Sequence, residues 1–291
     1  MSAEHGVRYT VVHATQYDYS EAVSVSHHVA RLTPRSLPHQ TCLEHGIEVE
    51  PAPALMKTHF DYFGNPMTFF AMQIPHKRLT VRARSTVAMR AVSLPRASET
   101  PAWERAADRA TLPLDILECV LGLRSSRAGA ETKAYARSSF PAGRPLLEAV
   151  ADLTARIHRD FTYDRTATTV ATSLAEVFAA RRGVCQDFAR LEVACLRALG
   201  IPARYISGYL ETVPQPGKPR LIGADASHAW VSAYCPDVGW VDADPTNNLF
   251  PSERHVTLAW GRDYVDVSPT RGVILGGGNH SLKVSVDVAR V

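Results

Sequence analysis

Cys185, His228 and Asp244 are the residues of this 291-residue chain whose types and spacing could support nucleophilic chemistry. Cys185 follows Gly183 by two positions and stands at the first turn of an apolar run from Val184 to Leu199 that reads as a buried helix. A thiol there meets the positive end of the helix dipole, which favours the attacking thiolate. The first-turn N–H groups lack intrahelical acceptors and can hold a developing oxyanion. The same position also suits a small core residue beside a helix start.

A nucleophilic thiol needs a base, and the base needs an orienter. Downstream run Ser227-His228-Ala229-Trp230-Val231-Ser232-Ala233-Tyr234 and Gly239-Trp240-Val241-Asp242-Ala243-Asp244. In strands, Ala229, Val231 and Ala233 point one way with Val241 and Ala243, while His228, Trp230, Trp240 and Asp244 point the other. A tight hairpin centred on Pro236 pairs residues whose numbers sum to 472 and sets His228 opposite Asp244. Their Cβ atoms would be roughly 5 Å apart, close enough for a carboxylate to fix an imidazole tautomer. A bulge or longer loop would shift that register. Taken singly, His228 also reads as a strand histidine bonded to a carbonyl, and Asp244 before Pro245 as a turn initiator.

The elements that must position these residues fall into three stretches. Residues 1–95 read as a small β domain of sandwich type, with strands at Val7 to Tyr19, Val23 to Leu32 and Leu79 to Ala88 separated by Pro34, Pro38, Pro51, Pro53 and Gly64-Asn65-Pro66. Its histidines, His27, His28, His39, His45 and His59, have no ligand spacing. Residues 96–145 read as a proline-punctuated helical connector, with pieces at Ala102–Ala110 and Leu114–Leu121. Residues 146–291 hold an amphipathic helix through Leu146, Leu147, Val150, Leu153 and Ile157, a capping box at Ser173 and Glu176 with Gly183 to end its helix, and the Cys185 helix stopped by Gly200 and Pro202. Strands at Arg204–Leu210, Ser227–Tyr234, Trp240–Asp244 and Ser281–Val288 complete an α+β chain.

Composition excludes little. A net charge of +3 is too weak to argue for nucleic acid or a membrane surface. The five cysteines, Cys42, Cys119, Cys185, Cys195 and Cys235, show neither a disulfide framework nor zinc-finger spacing, as expected for free thiols in a reducing compartment. Met1 to Thr10 lacks a signal-peptide pattern, and no run approaches a membrane span, so a cytoplasmic location is expected.

At its reactive positions the sequence resembles the transglutaminase-like superfamily, in the bacterial branch that includes candidate cysteine proteases and carries an N-terminal β domain. The resemblance rests on Arg182-Gly183-Val184-Cys185-Gln186-Asp187-Phe188-Ala189, Leu199-Gly200-Ile201-Pro202-Ala203-Arg204-Tyr205-Ile206-Ser207-Gly208-Tyr209, Ser227-His228-Ala229-Trp230-Val231, Gly239-Trp240 and Asp244-Pro245-Thr246-Asn247. Weaker likeness lies at His13 to Tyr19, Asp61 to Asn65 and Gly261-Arg262-Asp263-Tyr264. It implies a papain-like core in which the Cys helix packs on an antiparallel sheet bearing His and Asp. It further implies Cys185 as nucleophile, His228 as base and acid, Asp244 as orienter, and a peptide or protein amide as substrate, with no cofactor or metal. Asp242 is set aside because it lacks the following Pro-Thr-Asn. Asp187 is expected to cap the helix, and Tyr209, Trp230 and Trp240 to line the substrate or oxyanion region. Relatives in this branch occur beside ATP-grasp proteins, which hints at peptide modification; oligomeric state is left open.

Hydrolysis and transfer to an amine use the same residues, so both readings stand. A non-catalytic binding module of the same fold would be expected to lose one of the three residues, and all are present. Cys185, His228 and Asp244 are also zinc-ligand types, which makes a metal site the third alternative.

Overall fold

The computed structural model describes residues 6–121, 129–212 and 227–291. The N-terminal strands are β1 (Val7–Ala30), β2 (Gln40–Glu50), β3 (Leu55–Phe60), β4 (Pro66–Met72) and β5 (His76–Met89). Helices α1 (Trp103–Ala107), α2 (Leu114–Leu117), α3 (Ala130–Arg137) and α4 (Leu146–Asp160) follow. The central part comprises β6 (Thr162–Tyr163), α5 (Leu174–Ala180), β7 (Arg182–Gly183), α6 (Cys185–Ala198), β8 (Ala203–Leu210), β9 (Ser227–Cys235) and β10 (Gly239–Ala243). The chain closes with β11 (His255–Gly261), α7 (Tyr264–Val267), β12 (Thr270–Gly276) and β13 (His280–Arg290).

β1 is 24 residues long and is read as two strands by the sequence pattern, because its alternation slips near Tyr19 to Val23. Its first half lies between β5 and β13, and its second half between β4 and β12. One hydrogen-bonded sheet therefore folds back on itself, and Tyr19, Val23, Phe70, Met72, Leu79 and Val81 from both halves share a core. This is the sandwich-like domain expected from the sequence, built from one bent sheet. Gly277 sits at the bend with φ +89, and a Cβ there would lie 2.9 Å from Val23 Cγ2, so glycine suits both the backbone and the space.

The sequence reading grouped the C-terminal strands with the catalytic core. They pair instead with β1 along Thr270–Gly276 and His280–Arg290, so the last strands of the chain complete the N-terminal sheet. Nothing in local propensity distinguishes the two partners, because both offer an alternating face. Val286 and Val288 of β13 join Tyr9, Val11, Val87 and Met89 in the core that also holds α4, α6 and β8 to β10. The N-terminal sheet and the helical half thus share one apolar interior.

In that half, α4 buries its stripe of Leu146, Leu147, Val150, Leu153 and Ile157. α6 is buried on most faces and packs across β8 and β9 of an antiparallel sheet ordered β10-β9-β8-β11. Ser173 and Glu176 form the expected capping box, Ser173 Oγ accepting from the Glu176 N–H and Glu176 Oε2 accepting from the Ser173 N–H. α5 ends earlier than Gly183, at Arg181 with φ 54, whose guanidinium lies over the rings of Phe178, Phe161 and Tyr135. Cation–π contact offsets the cost of a left-handed non-glycine residue. Arg197 fixes the other end of α6, donating to the carbonyls of Cys119, Ala203 and Arg262.

All four tryptophans, Trp103, Trp230, Trp240 and Trp260, lie outside the N-terminal sheet, in α1, β9, β10 and β11. Truncating Val286 and Val288 together to alanine should cost on the order of 2–5 kcal/mol. Urea unfolding followed by tryptophan fluorescence should move to lower denaturant, because the shared core couples the two parts. An unmoved tryptophan transition would show that they unfold independently.

Candidate active site

Cys185 is the first residue of α6, preceded by Val184 in an extended conformation. Asp187, 1% exposed, accepts the Val184 N–H at 2.9 Å and the Thr168 hydroxyl at 2.6 Å. A Cβ at residue 183 would lie 2.7 Å from Asp187 Oδ2, so only glycine lets this carboxylate approach. Asp187 thus occupies the helix-capping position expected for it. The N–H groups of Cys185 and Gln186 point out of the first turn, without intrahelical acceptors. The Cys185 side chain is half-buried in a cleft of about 370 Å³ that His228 also lines.

The β9–β10 hairpin is centred on Asp237, not Pro236. Asp237 (φ 68) and Gly239 (φ 97) are left-handed, and the loop closes on a Cys235–Gly239 pair. Paired residue numbers therefore sum to 474, as in Trp240 with Tyr234 and Asp242 with Ser232. The 472 register is corrected by two residues, which keeps every side chain on its expected face. Asp244 stands diagonal to His228, and Nε2 of His228 still reaches Oδ2 of Asp244 at 2.7 Å.

Asp244 is fully buried and accepts five hydrogen bonds. Oδ2 takes those from His228 Nε2 (2.7 Å), His255 Nε2 (3.0 Å) and Asn247 Nδ2 (2.7 Å), and Oδ1 those from the N–H groups of Thr246 (2.9 Å) and Asn247 (3.2 Å). Burial would raise the Asp244 pKa, but these bonds hold it well below the usual carboxylate range. Burial would lower the His228 pKa, but hydrogen bonds to Asp244 and Cys185, with their charges, raise it to about 10. With Nε2 committed to Asp244, Nδ1 is the ring nitrogen left for the Cys185 thiol. Burial pushes the Cys119 and Cys235 thiols up to about 11 and raises those of Cys42 and Cys195.

His255 was not singled out from the sequence. It is 4% exposed and lies at the start of β11, a strand whose alternation the sequence reading passed over. Asn247 was recognised only as part of a motif. The donor atoms of His228, Asp244 and His255 lie within 4.8 Å of one another, which is also metal-ligand spacing; among the described residues Cys185 belongs to no such group.

The three expected lining residues lie elsewhere. Tyr209 is 1% exposed, with its hydroxyl 3.0 Å from His13 Nδ1 beneath the cleft. Trp230 is fully buried and donates from Nε1 to Asp242. Trp240 lines a separate cavity and stacks on Arg204 at 3.7 Å. Tyr209 shares the face of Tyr205 and Ser207 but lies behind His13, whereas Trp230 and Trp240 lie on the opposite face, from which only the end position, His228, reaches the cleft. The N-terminal sheet supplies the cleft's other wall, with Thr15 and Tyr17 of β1 and Leu282 and Val284 of β13.

Residues 9–88 match the family model described as bacterial transglutaminase-like N-terminal region, and residues 133–245 match that of the transglutaminase-like superfamily. The chain is 43% identical over 290 residues to uncharacterized proteins of Mycobacterium bovis and Mycobacterium tuberculosis, covering 97% of this chain and 92% of theirs. A protein-glutamine gamma-glutamyltransferase of Pseudomonas aeruginosa is 38% identical over 76 residues, covering 26% of this chain and 11% of that protein. The crystal structure of a "putative cysteine protease" from Cytophaga hutchinsonii superposes with a TM-score of 0.78 at 22% identity, covering 99% of this chain and 91% of that one. That likeness establishes a shared α+β fold. Among the described residues no helix is long and apolar enough to cross a membrane.

A raised folded-state pKa means that His228 contributes fully to stability below its ordinary value of about 6.5. That contribution is lost as the pH climbs through its folded value of about 10. Urea unfolding between pH 6 and 10 should therefore show a fall in stability that is shallower in Asp244→Asn, where the carboxylate no longer holds the cation. Parallel pH profiles for the two proteins would contradict this assignment.

Proposed function

Because the chain belongs to the transglutaminase-like superfamily, we propose that it is a cysteine-dependent enzyme acting on amide bonds of peptides or proteins, with Cys185 as nucleophile, His228 as acid and base, and Asp244 as orienter. The observation that carries this reading is the chain of contacts from Asp244 to His228 to Cys185, with the thiol at a helix start inside an open cleft.

The thiolate of Cys185 attacks the amide carbonyl carbon, and the N–H groups at the start of α6 receive the developing oxyanion. His228, held as a cation by Asp244, protonates the departing nitrogen, the C–N bond breaks and an acyl-thioester remains. The neutral ring then takes a proton from water or from an incoming amine, whose attack releases Cys185. Asp244 is a positioning residue throughout, fixing the ring so that Nδ1 faces sulfur. His255 and Asn247 position the carboxylate in turn. Substrate lies between the helix start and the wall formed by Tyr17, Leu282 and Val284.

A glutamine-containing peptide library incubated with a fluorescent primary amine tests the reaction. Amine incorporation identifies transfer, and release of ammonia or of cleaved peptide identifies hydrolysis. Either activity should fall at least about a thousandfold in Cys185→Ala. Turnover that survives this substitution would remove the thiol from the mechanism.

A further inference from the structure

A second cavity, of about 340 Å³, lies on the face of the sheet opposite the cleft. Tyr205, Ser207 and Ala229 line the cleft, whereas Arg204, Ile206 and Asp242, on the alternate positions, line the second cavity. Arg204 and Asp242 each pair with Ser232, one from either side of β9, so a cation and an anion flank a residue with a small side chain.

The polar groups of this cavity are incompletely used. The Arg204 guanidinium is held between Trp240 and Trp260, 3.7 and 4.1 Å from their ring centroids, and its Nε–H is buried without an acceptor. Asp242 accepts from Trp230 Nε1 through Oδ2, and Oδ1 makes no hydrogen bond among the described residues. His255 is 96% buried, taking its 4% exposure, and its Nδ1 has no partner. Asp244 is an anion and can only accept, so His255 Nε2 carries a proton. A cation and an anion left short of partners beside an apolar cavity call for a ligand or solvent to satisfy them.

Arg204, Asp242 and the imidazole of His39, close enough to Asp242 to feel its charge, place groups of both kinds in this cavity, which does not suit a simple anion or a simple cation. We propose that this cavity binds a free α-amino acid with an apolar side chain. Its carboxylate meets Arg204, its ammonium meets Asp242, and its side chain lies against Leu37, Val92 and Leu94. Small-molecule sites are commonly apolar cavities of roughly 300–1,000 Å³ with a few convergent polar groups, as here. His255 lines the cavity and donates to Asp244, so a single imidazole separates the occupant from that carboxylate. The site stands independently of the acyl-transfer reading.

Isothermal titration of the full chain with L-leucine, repeated on Cys185→Ala to exclude turnover, tests the proposal. Saturable binding is expected in both, about tenfold or more weaker for N-acetyl-L-leucine, which lacks the ammonium, and for L-leucinamide, which lacks the carboxylate. Arg204→Gln should abolish the preference over leucinamide, and Asp242→Asn the preference over N-acetyl-leucine. Leu94→Trp, which fills the cavity without altering its charges, should abolish binding and decides the matter if either charge variant fails to fold. No saturable binding of L-leucine up to about 10 mM, the range of weak small-ligand affinity, would mean that water alone occupies the cavity and would overturn the proposal. Equal affinity for all three compounds would overturn it too.

Discussion

The site depends on a negative charge held where water cannot reach it. Asp244 has no exposed surface, and an isolated carboxylate in such a place would take up a proton rather than remain ionised. Five hydrogen bonds, two of them from imidazoles and two from backbone N–H groups, keep it an anion. The geometry of His228 follows from that, since the ring must turn Nε2 to the carboxylate and so presents its other nitrogen to Cys185.

Each large element serves this arrangement. α6 is buried on most faces, and Arg197 ties its far end to three backbone carbonyls, so its N-terminus cannot drift from the sheet. Asp187 and Gly183 set where that helix begins, hence where the thiol lies. β9 and β10 bring His228 and Asp244 together across a hairpin, and β11 adds His255 from the other side. The folded N-terminal sheet, closed by β12 and β13, forms a wall of the cleft, so the first and last strands of the chain face the thiol.

Much of this was legible in the residues. Helix punctuation by Ser173, Gly200 and Pro202 and the apolar run of α6 act within a few positions, and strand alternation placed His228 and Asp244 on one face. The exact pairing was not legible, because it turns on whether Pro236 or Asp237 occupies the centre of the loop, a choice made by one left-handed residue. Parity survived the error, and with it the contact between His228 and Asp244. His255 escaped because its role exists only across the sheet, with no sequence neighbour to mark it. Trp240 was placed on the correct face but assigned to the wrong cavity, and Trp230 on the same face is fully buried, since alternation cannot tell which side of a sheet meets a helix. The β1 pairing of the last strands joins residues 240 or more positions apart, from Ala30 with Thr270 to Tyr9 with Arg290, beyond any local pattern.

Selective ¹⁵N-histidine spectroscopy of the free protein at neutral pH tests the central claim most directly. If Asp244 and Cys185 hold His228 as a cation, both its ring nitrogens carry protons, and Nε2–H shows the far-downfield proton resonance of a short bond to a carboxylate. A neutral His228 with its single proton on Nδ1 would contradict the account, because Asp244 could not then be orienting the ring toward the thiol.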